Sequence, residues 1–183
     1  MKNILIISGH PNLQQSVSNK VILDKLASAL PEAEIRKLDE LYPDYRINVP
    51  IEQAAILRAD VIVWQFPFYW YSMPALMKKW LDDVFVHGFA HGSTAKLGGK
   101  KWLISFTTGA PKEAYAKDAF MQHDIEDYLA SFESTAILCN LELATPTYLN
   151  GVSYVGRDDA AIKQQQTEAH KYASSLIEQI KNA

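Results

Sequence analysis

Two stretches of the chain are apolar without interruption, Asn3–Ser8 (NILIIS) and Asp60–Phe66 (DVIVWQF). A strand with one wet face alternates polar and apolar residues; a strand covered on both faces does not. Helical patterns follow each run. Ser16–Leu30 carries Val17, Val21, Leu23, Leu26, Ala27 and Leu30 at helical spacing and stops before Pro31, and Met73–Phe85 is amphipathic. The alternation continues with a strand at Ala33–Leu38, a helix at Ile51–Arg58 and a strand at Lys101–Thr108. A helix marked by Ile125, Tyr128, Leu129, Phe132, Ala136 and Cys139 comes next, then a last strand at Leu141–Leu149 despite Pro146. Asp158–Lys181 closes as a long helix with Ile162, Ala169, Tyr172, Leu176 and Ile180 inward. Right-handed crossovers between such strands place helices on both faces, so the pattern predicts an α/β doubly wound five-stranded parallel sheet.

The 183 residues fit one domain, 1–183, with Gly88–Lys100 and Tyr148–Arg157 as loop insertions rather than boundaries. A net charge of −3 with scattered lysines excludes a nucleic-acid stripe. The first apolar run is too short for a membrane span, and Cys139, the single cysteine, permits no internal disulfide and reads as a core residue. A cytoplasmic protein is expected. Of the five histidines, only His87 and His91 are spaced i, i+4, and they lack the glutamate of an H-E-x-x-H pattern, so no metal site is expected.

In a sheet of this kind ligands bind beyond the carboxyl ends of the strands, near the point where the strand order reverses. Three loops there carry the chemistry. The first, Gly9–Asn19, runs from a buried strand into a helix N-terminus, where free backbone N–H groups attract an anion. Ser16, Val17, Ser18 and Asn19 supply donors, and His10 offers a ring N–H or a positive charge; the plainer role for Ser16 is a helix cap. The glycine fingerprint of dinucleotide binding and the lysine-bearing P-loop are both absent. The second loop, Pro67–Phe68–Tyr69–Trp70–Tyr71, completes five aromatics in six residues from Phe66 to Tyr71. Aromatics in a loop want a flat partner, or else form a hydrophobic plug or subunit contact. The third, Thr107–Thr108–Gly109–Ala110, offers hydroxyls and amides to a polar ring edge. A phosphate loop, an aromatic platform and an amide loop together describe a flavin mononucleotide site.

The segments Gly9–Asn19 (GHPN…SVSN), Tyr42–Asp44 (YPD), Trp64–Phe85 (WQFPFYWYSMPALMKKWLDDVF), His87–Gly92 (HGFAHG) and Thr107–Gly109 (TTG) resemble the flavodoxin-like NAD(P)H:quinone oxidoreductases of the DT-diaphorase type. Within that family they are most similar to a short bacterial branch that includes ancillary proteins of glutathione-gated potassium efflux. The resemblance implies a flavodoxin-like fold, FMN or alternatively FAD as cofactor, NAD(P)H as donor, a quinone-like acceptor and a homodimer. It also implies a membrane potassium-efflux partner met at the inner membrane face; a regulatory subunit of that system is the alternative function. By the same resemblance Tyr115 stands near the flavin carbonyl, and His91 is a pocket aromatic reaching across the dimer interface. Tyr69, Trp70, Phe106 and His91 would frame a slot shared in turn by donor and acceptor. The family's second glycine after the threonines is Ala110 here, followed by Pro111. Met121 replaces a family histidine, with His123 nearby.

Overall fold

In a computed structural model that describes residues 2–183, the first apolar run becomes β1 (Ile4–Ser8). It lies between β2 (Glu34–Lys37) and β3 (Val61–Pro67), parallel to both, with Ile6 opposite Ile35 on one side and Val63 on the other. β4 (Lys101–Thr107) pairs with β3 along its whole length. The far edge holds β5 (Glu142–Leu143) and β6 (Thr147–Leu149), both parallel to β4. The order β2-β1-β3-β4-β5 is that of a flavodoxin-like sheet. The expected last strand, Leu141–Leu149, is therefore two pieces. Pro146 has no N–H to give the ladder, and the chain leaves and rejoins β4 around it.

Helices cover both faces. α1 (Ser18–Ala29) and α6 (Asp159–Asn182) pack side by side on one face, with Ile22, Leu26, Ala169, Ala173 and Ile177 sharing a core with Ile6, Val63 and Leu103. The Lys25 ammonium donates to the His170 carbonyl at 2.8 Å and ties the two helices at mid-length. The opposite face carries α2 (Leu38–Leu41), α3 (Val49–Arg58), α4 (Ala75–Val84) and α5 (Ala130–Cys139). Trp64, Trp80 and Trp102 are fully buried there, with Trp64 edge-on to both others at 5.8 and 4.7 Å. Each such aromatic pair adds about 0.5–1.5 kcal/mol beyond the area it buries.

Local chemistry sets the helix ends. The first helix starts at Ser18, two residues later than expected, because Ser16 is extended and Leu13–Gln15 forms a separate turn of 3₁₀-helix. Asn48 caps α3 by accepting from the Ile51 N–H, which moves its start to Val49. The helical spacing from Ile125 to Cys139 is carried by two elements, a 3₁₀ turn at Ile125–Tyr128 and α5, which ends on Asn140 at φ 53°.

One ion lies within this layer. Glu52 is fully buried and accepts from Arg36 Nε through both carboxylate oxygens, at 2.8 and 2.9 Å, from Trp80 Nε1 at 2.9 Å, and from the Tyr42 hydroxyl. These bonds satisfy a charge that burial alone would not tolerate. They also fix α3 and α4 to β2.

Candidate functional site

The chain leaves β1 toward β2 on one side and returns to β3 on the other, so the strand order reverses between β1 and β3. A cavity of about 850 Å³ opens at the carboxyl ends of these strands. Its wall is built from the loops after β1 and β3, the end of β4, and the segment that precedes α6. Gly9, where β1 ends, donates to the Gln65 carbonyl at 2.9 Å, and any side chain there would collide with Met77 of α4.

The loop after β1 is held by its own hydrogen bonds and carries no charged side chain. His10 is buried, and its Nδ1 accepts the Asn12 N–H at 3.0 Å, which leaves the ring proton on Nε2. Burial pushes the ring's pKa down, against an opposing attraction from Asp39. His10 therefore brings an N–H to the cavity and not the positive charge that the sequence also allowed. Asp39, on α2, accepts the Leu13 N–H at 2.8 Å and props the turn from beneath. Ser16 Oγ accepts from the Asn19 N–H at 3.2 Å and from Asn19 Nδ2 at 3.1 Å, so it does serve the helix start, while its own proton stays free. Val17 is the residue before α1. Ser18 is 3% exposed, and its hydroxyl has no partner within the described chain. A buried hydroxyl left without a protein partner on a cavity wall suits a ligand oxygen.

Asn19 does something else. Its amide donates to Ser16 Oγ and to Thr107 Oγ1, at 3.1 and 3.0 Å, and accepts from Gln65 Nε2 at 2.6 Å. Both amide protons are used inside the protein. Asn19 therefore stands on the cavity wall with its side-chain amide bonded within the protein, where it joins the loop after β1 to β3 and β4.

The aromatic loop divides in two. Phe68 is buried against Phe106, with ring centroids 4.9 Å apart, and is a plug. Beyond it, Tyr69 and Ser72 exchange both backbone hydrogen bonds, at 2.9 and 3.1 Å, closing a tight turn with Trp70 at φ 48° and Tyr71 at φ 65°. Left-handed backbone at two bulky residues is strained, and such strain persists where the surroundings over-determine it. Trp70 is 91% exposed beside the cavity, with Pro67, Phe68 and Tyr69 also on its wall. Thr107 and Gly109 contribute the third side.

A family profile described as a flavodoxin-like fold matches residues 2–173. The chain belongs to the flavodoxin-like family. Its relatives include the glutathione-regulated potassium-efflux system ancillary protein KefG of Cronobacter sakazakii, 44% identical over 144 residues, which are 78% of each chain. KefG of Shigella flexneri is 38% identical over 174 residues, 94% of this chain and 92% of that one. Among solved structures, general stress protein 14 of Treponema denticola, in complex with FMN, superposes with a TM-score of 0.86 at 32% identity, covering 97% of this chain and 99% of the other. An NADPH-quinone reductase of P. pentosaceus superposes at 0.73 with 26% identity, covering 94% and 98%. These relatives match the branch that the motifs resemble.

Within this flavodoxin-like site, five expected residues stand off the cavity wall. Tyr71 turns away to stack on Tyr128, centroids 5.1 Å apart, with its hydroxyl 3.7 Å from Met121 Sδ. Thr108 is buried, and its hydroxyl, with one proton to give, lies 2.8 Å from both the Ala110 carbonyl and Asn150 Oδ1. Thr108 and Ala110 thus hold the segment after β6: the Gly151 N–H reaches the Ala110 carbonyl at 2.9 Å, and the Val152 N–H reaches that of Thr108 at 3.0 Å. Tyr115 packs edge-on to Tyr128 at 6.3 Å; burial raises its phenol's pKa, and the Thr108 hydroxyl acts against that rise. His91 lies edge-on to His87 at 5.4 Å. His123, the possible stand-in for the family histidine, has its Nδ1 3.3 Å from Asp127.

One wall of the cavity comes from a segment that carries no recognisable motif. Val152, Ser153, Tyr154 and Arg157 belong to the cavity, although their segment read as an insertion. The available signal was an arginine immediately before a capped helix, because Asp158 accepts the Ala161 N–H at 2.8 Å and starts α6.

Proposed function

We propose that this chain is an FMN-binding NAD(P)H-dependent oxidoreductase that delivers two electrons to quinone-type acceptors. The observation that carries the reading is the meeting, in one cavity at the strand-order reversal, of the loop with the unpartnered Ser18 hydroxyl, the strained aromatic turn at Trp70, and Thr107 with Gly109. The residues present fit a flavin. Ser16, Ser18, the His10 Nε2–H and the free N–H groups at the start of α1 suit a phosphate; Tyr69 and Trp70 suit a planar ring; Thr107 and Gly109 suit its polar edge. The FMN complex of general stress protein 14 supports the same choice.

When bound, the flavin would supply the two-electron exchange between a reduced nicotinamide and an aromatic acceptor. The protein's part is to bind, orient and dry the site. Trp70 and Tyr69 form an open slot that donor and acceptor enter in turn, over a floor rigidified by Phe68 and Phe106. Tyr115 acts through Thr108 on the loop that meets the ring edge. His91 completes the slot from across a homodimer interface.

The experiment is direct: purify the protein, identify any released chromophore, and follow bleaching by NADPH and by NADH before adding a quinone. A protein that is colourless and binds no added flavin ends the reading.

A second reading has its own support in the 44% identity to KefG: a flavin-binding ancillary subunit that docks on a potassium-efflux system from the cytoplasmic face. Among the described residues no helix is long and apolar enough to cross a membrane, so the association would be peripheral. Potassium efflux that persists in a variant unable to oxidise NAD(P)H favours this role over the reductase as the primary one.

A further inference from the structure

We propose that Arg157 is the counter-charge for the flavin phosphate, carried to the N-terminus of α1 by the packing of α6 alongside it. The inference rests on the flavin reading and deepens it by naming the residue that distinguishes a phosphorylated flavin from an unphosphorylated one.

The fold brings the pieces together. α1 and α6 each follow a parallel strand, so both begin at the carboxyl edge of the sheet, and their packing sets those beginnings side by side. Ser16, Val17 and Ser18 stand at one start, Arg157 at the other, and all four line the same cavity. Every other side chain on that wall is uncharged or, for His10, held neutral. A phosphate there would meet hydroxyls, amides and one full positive charge.

Arg157 is also left free for this work. No carboxylate among the described residues pairs with it. Its hydrogen bond is a long one, Nη1 to Gln165 Oε1 at 3.5 Å. Gln165 is 9% exposed on α6, and its Nε2 donates to the Ser153 carbonyl at 2.7 Å. One glutamine thus clamps the loop with its amide nitrogen and steers the guanidinium with its amide oxygen, which makes Gln165 a positioning residue. The unpartnered Ser18 hydroxyl, on the same wall, is an independent mark of an oxygen-bearing ligand. A guanidinium matches a phosphate's oxygens in a planar, two-pronged geometry that a point charge does not.

The test titrates FMN and riboflavin into flavin-stripped wild type, Arg157→Gln, Arg157→Lys and Gln165→Met, at several salt concentrations. Losing a charge-assisted bond to phosphate should weaken FMN about tenfold or more in Arg157→Gln, leave riboflavin unchanged, and flatten the salt dependence of FMN binding. Arg157→Lys should recover part of the affinity. Gln165→Met should weaken FMN less and keep the salt dependence, because the charge remains. FMN binding equal to wild type in Arg157→Gln overturns the inference, as does an equal loss of riboflavin, which would mark a structural role. Wild type that binds neither flavin overturns the flavin reading with it; wild type that binds FMN without help from Arg157 overturns this inference alone.

Discussion

Gln65 on β3 donates its side-chain amide to Asn19 Oδ1 at 2.6 Å, and the two residues lie 46 positions apart in the chain. Through Asn19 this bond extends to Ser16 and Thr107, so a single buried amide ties together the ends of β1, β3 and β4, three of the four parts of the cavity wall. Replacing it with a hydrocarbon, Asn19→Leu, leaves Gln65 without its partner and should cost about 1–3 kcal/mol in urea unfolding. Flavin affinity should fall with it because the loops lose their common fixing point. Stability lost with affinity intact would reduce the network to a fold support.

Trp70 should behave in the opposite way. At 91% exposure it contributes little to folding, so Trp70→Ala should change stability by no more than about 0.5 kcal/mol. Removal of a stacking ring should weaken flavin retention or acceptor turnover by about tenfold. Lys79→Ala, which breaks a surface pair with Asp83 on α4, is the matched control and should leave both properties unchanged. Equal, mild effects of the two substitutions would remove the aromatic platform from the account.

The buried neutral state of His10 predicts a pH dependence of stability. The ring titrates near 6.5 when unfolded and lower when folded. As pH falls below 6.5 the unfolded chain binds a proton that the folded chain refuses, so stability falls, until the folded ring itself titrates. His10→Gln should remove that component, so its unfolding free energy should decline less than wild type's between pH 7.5 and 5.5. Parallel pH profiles for the two proteins would contradict the buried neutral ring.

Glu52 tests the opposite face of the sheet. Glu52→Gln strips the charge that Arg36 meets and should destabilise the protein by about 3–5 kcal/mol by denaturant unfolding. Flavin affinity measured well below the unfolding transition should stay near the wild-type value, since none of the Glu52 partners lines the cavity.

The division between legible and hidden residues follows from the range of the interactions involved. Ser16, Ser18, Tyr69 and Trp70 are legible as residues of the cavity wall because loop composition is local: donors at a helix start and aromatics in a turn announce themselves within ten residues. Asn19 is legible as a residue of the same helix start, but its bond to Gln65, 46 positions away, is not. Tyr71 and Thr108 were placed with their neighbours on the cavity, yet the left-handed turn at Trp70–Tyr71 and the bond to Asn150 point them elsewhere. Arg157 is legible only as an arginine before a capped helix; its place on the cavity wall depends on the packing of α6 against α1.

The sequence by itself determined the parallel sheet, since uninterrupted apolar runs are stable as strands only when helices cover both faces. It also determined which loops carry donors and aromatic rings. Only the tertiary structure decided how those side chains divide between ligand and protein. Hydrogen bonds such as Asn19–Gln65 and the alignment of α1 with α6 join residues far apart in the chain, and their geometry exists only after the sheet has formed.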